Sequence, residues 1–153
     1  MQRPVHLDDL DRKILDHLER DGRATLADVG AAVGLSASAV KRRVDRLHAT
    51  GVIVGYTAVI DPQALGDRLE AFVELYCADS VAPNDLLAAV AGLPAVVAAH
   101  TVAGDADAVV RVRVEGIEEL ERTIEQLRRD PKVMRTRTMV ALSTLVERHI
   151  AAD

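Results

Sequence analysis

The chain has 153 residues, 49% of them apolar and 28% charged, with a formal net charge of −5, which is the balance of a globular protein and excludes a disordered or fibrous one. Its single cysteine, Cys77, excludes an internal disulfide framework, and no apolar run approaches the roughly 18–20 residues that a bilayer span requires. With no signal-peptide pattern in its opening residues, the chain is expected in the cytoplasm, without membrane contact, as one ordinary domain or two small ones that lean on each other or on partner chains.

Asp8 to Asp21 sets Leu10, Ile14, Leu15 and Leu18 at helical spacing, with acidic residues in the first turn where the helix dipole favours them, and Gly22 ends it. Thr25 and Asp28 have capping-box spacing for a second, short helix carrying Leu26, Val29 and Val33. Gly34 supplies a sharp turn, Leu35 a core plug and Ser36 a cap for a third helix, in which Val40, Val44 and Leu47 recur on one side until Gly51. Three short helices with a tight turn between the second and third predict a helix-turn-helix over residues 1–55.

Val52 to Ile60 is rich in β-branched residues and predicts a strand, and Asp61-Pro62 with Gly66 a turn, so residues 56–66 read as a linker strand and turn. Beyond it the patterns predict a strand over Leu69–Cys77, a helix over Asn84–Ala91, strands over Val96–Val102 and Ala108–Val114, a helix over Ile117–Leu127 and a strand over Val133–Leu142. That β-α-β-β-α-β order predicts a ferredoxin-like domain over 67–153, with both helices on one face of a mainly antiparallel sheet. The whole is an α+β protein. A four-stranded sheet with aliphatic residues on both sides needs cover on its second face, and a second copy of the sheet is the simplest cover.

Charge is distributed unevenly. Residues 1–55 carry nine Lys or Arg against eight Asp or Glu, whereas residues 56–153 carry ten against sixteen. Within the first half, Lys41, Arg42, Arg43 and Arg46 face only Asp45 between Leu35 and Gly51, a local charge of +3 on one element. Such a face binds phosphate even in an acidic protein. With Val40, Val44 and Leu47 inward, Ser38, Lys41, Arg42, Asp45 and Arg46 occupy the outer half of the helix. Ser38 and Arg42 are best placed for base edges and Arg46 for backbone phosphate, while Ser36 caps the helix, presents its N-terminus to a phosphate, or does both. The candidate contacts to double-stranded DNA are thus Ser36, Ser38, Lys41, Arg42, Arg43 and Arg46; the competing reading of a basic helix face alone is simple solvation.

Leu10-Asp11, Ile14-Leu15, Asp21-Gly22-Arg23, Gly34-Leu35-Ser36, Arg43-Val44, Leu47, Gly51-Val52-Ile53 and Gly55-Tyr56 resemble the reading head of the Lrp/AsnC family of transcription regulators. Gly104-Asp105-Ala106-Asp107 resembles that family's Gly-Asp-aromatic-Asp loop, with Ala106 in place of the aromatic, and Thr136 and Thr138 match its paired threonines. The resemblance spans roughly residues 7–147. It implies sequence-specific DNA binding, a dimer built through the C-terminal sheets and assembled further to an octamer, and a small effector, usually an amino acid, held between dimers. Carried over by that resemblance, the effector set is Gly104, Asp105, Asp107, Thr136 and Thr138. Gly104 lets backbone amides approach a carboxylate and an acidic side chain pairs an α-ammonium; a plain hairpin turn is the competing reading of the loop.

No enzyme is expected, and neither metal nor cofactor. His6, His17, His48, His100 and His149 lack metal-ligand spacing, Cys77 sits within a strand, and no phosphate loop or nucleophile elbow appears. Two alternatives are a haem-pathway decarboxylase-like enzyme on the same architecture, with His100 in its site, and an amino-acid-binding module that does not bind DNA.

Overall fold

A computed structural model describes residues 5–78 and 82–146 of the chain. The chain divides into two compact units, one dominated by Met1–Val59 and the other spanning Ile60–Leu145.

The first unit holds α1 (Asp9–Arg20), α2 (Leu26–Val33) and α3 (Ala37–Ala49). Both α1 and α2 start in reciprocal capping boxes, Asp8 with Asp11 and Thr25 with Asp28, each of which satisfies backbone amides that a helix start leaves without partners. The Oγ of Ser36 accepts from the Ala39 amide at 3.3 Å and caps α3. Between α2 and α3 the chain reverses through Gly34 at φ 74°, a conformation that costs a side-chain-bearing residue about 1–2 kcal/mol. Ile14, Val29, Val40 and Val44 form the core of this unit, with Leu18, Leu26, Val33, Leu35 and Ile53 packed around them.

Leu47 is buried too, and its carbonyl accepts from the amides of Val52 and Ile53 as the chain leaves α3. The strand expected over Val52–Ile60 is not formed. Residues 54–60 have no regular structure, and Val54, Tyr56, Val59 and Ile60 stand exposed. β-branched composition favours an extended backbone, but a strand exists only where a neighbour completes its ladder, and among the described residues this segment meets none. The expected turn takes the form of a short 3-10 helix, Pro62–Leu65, capped by the Asp61 carboxylate and closed by Gly66.

The second unit runs β1 (Leu69–Cys77), α4 (Pro83–Val90), β2 (Val96–Thr101), β3 (Ala108–Val114), α5 (Ile117–Arg128) and β4 (Val133–Val140). The sheet order is β2-β3-β1-β4 with every neighbouring pair antiparallel, which is the ferredoxin-like arrangement. Ala71, Val73 and Leu75 of β1 and Val110, Val112 and Val114 of β3 are buried with Leu86 and Val90 of α4 and Leu120 and Leu127 of α5.

The opposite face differs from the expected aliphatic one. Residues paired in register share a face, so Glu70, Phe72, Glu74 and Tyr76 of β1 lie with Arg111 and Arg113 of β3 and Arg135, Arg137 and Met139 of β4. Arg113 Nε donates to Glu70 at 2.7 Å, Arg137 Nε lies 2.8 Å from Glu74, and the Arg135 guanidinium covers the Tyr76 ring at 3.8 Å. The period-two alternation of β1 and β3 is therefore apolar against charged, with Phe72, Ala98, Val109 and Met139 among the apolar members of the second face.

Candidate functional site

Local chemistry alone aims the outer surface of α3. With Val40, Val44 and Leu47 buried, Ser38, Lys41, Arg42 and Asp45 are left exposed. Ser36 and Ser38 lie with their hydroxyl oxygens 3.1 Å apart at the helix N-terminus, and Lys41 pairs with Asp45 one turn on at 2.6 Å. Arg42 lines an open recess of about 290 Å³ with Asp8, Arg43 and Arg46.

Arg43 and Arg46 turn toward α1, a placement that the sequence patterns did not reveal. Arg43 Nη1 donates to Asp8 Oδ2 and to Asp11 Oδ1, both at 2.8 Å, and Arg46 Nη2 donates to Asp11 Oδ2. Asp11 is fully buried whereas Arg46 keeps 47% of its side chain exposed. All four oxygens of the two carboxylates are used, because Asp8 Oδ1 accepts from the Asp11 amide at 2.8 Å and Asp11 Oδ2 from the Asp8 amide at 3.2 Å. The backbone bond from Asp11, and after it the Arg43 guanidinium, lower the Asp8 pKa to about 2. The hydrogen bond to Asp8, and after it the one to Asp11, raise the pKa of Arg43. The Asp-x-x-Asp spacing was an available signal for the cap that the sequence pattern of α1 left unread, and nothing local signalled the link to α3.

Gly30 was likewise missed. A Cβ there would stand 2.5 Å from the Leu35 carbonyl oxygen, so the turn into α3 crosses α2 at a point where only glycine leaves room. A glycine inside an otherwise amphipathic helix was the available signal.

In the second unit, Gly104 and Asp105 are exposed on the bend between β2 and β3, and Ala106 is buried. Asp107 has partners inside the fold. Its Oδ2 accepts from the Cys77 amide at 2.7 Å and its own amide donates to the Leu75 carbonyl at 2.9 Å. Thr136 and Thr138 lie opposite Leu75 and Val73 on the helix side of the sheet, and Thr136 Oγ1 accepts from Arg128 Nε at 2.9 Å. Ala108 pairs with Leu75 on the other side, so the end of the loop and Thr136 flank one residue of β1, about 10 Å apart across two strand spacings. The base of that loop, Thr101 paired with Ala108, also forms one wall of a cavity of about 290 Å³ beneath α4, together with Leu75, Leu86, Val90 and Asn84.

Groups weighed for catalysis do not converge. Burial, and after it the charges of Asp107 and Asp130, push the Cys77 thiol up and away from the reactive thiolate. His100 is exposed on β2, and His149 lies outside the described residues. Among the described residues no group of three or more His, Cys, Asp or Glu is arranged to hold a metal ion, and no helix is long and apolar enough to cross a membrane.

A capped, outward-facing basic α3 after a tight turn, followed by a ferredoxin-like unit, defines the class of helix-turn-helix regulators with an appended sensing domain. Family models match both parts: the AsnC-type helix-turn-helix domain over residues 7–48 and the Lrp/AsnC ligand binding domain over residues 70–150. The HTH-type transcriptional regulator Rv2324 of Mycobacterium tuberculosis is 45% identical over 93% of this chain and 96% of its own length. The regulator LrpA of the same organism is 41% identical over 90% and 91%. The feast or famine regulatory protein of M. tuberculosis complexed with L-methionine superposes with a TM-score of 0.86 at 39% identity, covering 95% of this chain and all of that one. The chain belongs to the Lrp/AsnC family of DNA-binding transcription regulators. Its relatives are regulators and not enzymes, which sets the decarboxylase-like alternative aside.

Proposed function

We propose that this protein is a cytoplasmic regulator that reads a specific DNA sequence with α3 and alters its binding or assembly when an amino acid occupies its C-terminal domain. Residues 1–55 are the reading head, 56–66 the connector and 67–153 the sensing and assembly domain. The observation that carries the reading is the orientation of α3, whose apolar side is buried while Ser38 and Arg42 face outward near a Ser36-capped N-terminus. Ser38 and Arg42 read base edges, Lys41 and Arg46 meet phosphate, and Ser36 offers the helix N-terminus to a phosphate. Arg43 contributes charge to the recess while its guanidinium binds Asp8 and Asp11.

The methionine complex of a 39% identical relative supports an amino-acid effector. Gly104 and Asp105 are the exposed polar groups of the loop, and Asp107, Thr136 and Thr138 complete the candidate set. The apolar cavity against Thr101 and Ala108 suits the side chain of such a ligand. Two copies pair through the second face of the sheet, where Phe72 and Met139 lie among the Glu–Arg pairs, and the dimers assemble to an octamer.

The experiment is a titration of wild type and Arg42→Ala on operator and on random duplex DNA, with and without L-methionine. Arg42→Ala is expected to weaken operator binding by about 1–3 kcal/mol and to relax base preference. A uniform loss on both DNAs, or none, rejects Arg42 as a reader. Absence of DNA binding by wild type in both ligand states favours the module that binds amino acids alone.

A further inference from the structure

We infer that Asp11 is a positioning residue for DNA binding, which holds Arg46 by its inner edge so that the outer edge of the same guanidinium receives a backbone phosphate. The inference rests on the reading that α3 contacts DNA and that Arg46 meets phosphate. It adds a buried carboxylate on a different helix as the group that fixes where that contact forms.

Three observations carry it. The first is the burial gradient along the bridge: Asp11 has no exposed surface, whereas 47% of the Arg46 side chain is exposed. A guanidinium presents five N–H donors in a rigid plane. The bond to Asp11 Oδ2 uses Nη2 of Arg46, and the exposed edge of the plane is directed outward by the same bond. The second is that Arg43 ties the other oxygen of Asp11, and Asp8 Nα–H the first, so the carboxylate cannot rotate to follow Arg46. The anchor is fixed on both sides. The third is that Arg46 lines, with Arg42 and Arg43, one open recess of about 290 Å³, so its exposed edge lies on a basic surface. Asp8 rims the same recess, but both of its oxygens are engaged, one by the Asp11 amide and one by Arg43.

Electrostatics and positioning predict opposite signs for the loss of this carboxylate. A negative charge near a phosphate opposes DNA binding, so removing it on charge grounds alone strengthens binding. A long side chain ordered before the DNA arrives saves the entropy of ordering it on contact, so removing its anchor weakens binding by about three- to ten-fold.

The test measures affinity of the full-length protein for random duplex DNA over a range of salt concentrations, well below the unfolding midpoint. Wild type, Asp11→Asn, Arg46→Ala and the double variant are compared, with circular dichroism to verify folding. Arg46→Ala is expected to weaken binding and reduce the salt slope by about one phosphate contact. Asp11→Asn is expected to weaken binding by about three- to ten-fold when Arg46 is present and not at all when it is alanine. Arg46→Lys keeps the charge and leaves Asp11 paired with Arg43, so it remains informative even if Asp11→Asn does not fold; it is expected to lose affinity because an ammonium has no rigid second edge. Stronger or unchanged binding by Asp11→Asn, an equal loss in both backgrounds, or wild-type affinity for Arg46→Lys overturns the positioning role. An Arg46→Ala protein that binds like wild type rejects instead the phosphate reading on which the inference stands.

Discussion

The carboxylate of Asp11, buried in the first turn of α1, binds the Arg43 guanidinium of α3 at 2.8 Å across 32 residues of sequence. A burial of this kind makes an ion pair matter, because its charge has no water to fall back on. Arg43→Ala is expected to destabilise the protein by about 1–3 kcal/mol, leaving Arg46 as the one guanidinium on Asp11. Lys41→Ala breaks an exposed pair within α3 and is expected to cost no more than about 0.5 kcal/mol. Urea unfolding followed by circular dichroism compares the two; equal losses remove the special role of the buried pair.

Asp8 gives the same network a pH signature. Its folded pKa is lowered from 3.8 to about 2, and a carboxylate with a depressed folded pKa adds stability that is fully present above its unfolded value and disappears as pH falls through the folded one. The midpoint of thermal unfolding is therefore expected to fall more steeply between pH 4 and pH 2 in wild type than in Asp8→Asn, which retains a capping side chain. Parallel curves for the two proteins in that window count against the assignment.

Two glycines of the reading head are expected to respond differently to alanine. Gly30→Ala drives a Cβ to within 2.5 Å of the Leu35 carbonyl oxygen, and the forced movement of the turn costs about 1–3 kcal/mol. It should also weaken DNA binding, since the turn sets the position of α3. Gly34→Ala meets open space but must hold φ near 74°, at about 1 kcal/mol, with DNA affinity close to wild type once the protein is folded. Thermal melts and DNA titrations on both variants check the order.

On the loop between β2 and β3, the hydrogen bond from the Cys77 amide separates Asp107 from Asp105. Asp107→Ala leaves that amide without its acceptor and is expected to cost about 1–3 kcal/mol of stability. Asp105 is exposed, so Asp105→Ala should change stability by less than about 0.5 kcal/mol while weakening L-methionine binding. Calorimetric titration with the amino acid distinguishes them: unchanged affinity in Asp105→Ala takes that residue out of the effector set.

By itself the sequence determined what depends on near neighbours. The capping box at Thr25–Asp28, the Ser36 cap and the Gly34 turn all act within a few residues, and each is found where its local spacing puts it. The inward set Val40, Val44 and Leu47 follows from helical geometry in the same way, and with it the outward direction of Ser38 and Arg42. Tertiary structure decided whatever needs a distant partner. Val52–Ile60 has the residues of a strand and no neighbouring strand among the described residues to pair with. The glutamates and arginines of the second sheet face become a set of pairs only when β1 lies between β3 and β4. Arg43 and Arg46 read as two more charges on a basic helix until folding brings buried Asp11 beside them, because a carboxylate selects its guanidinium by distance in space and helical periodicity carries no record of that distance.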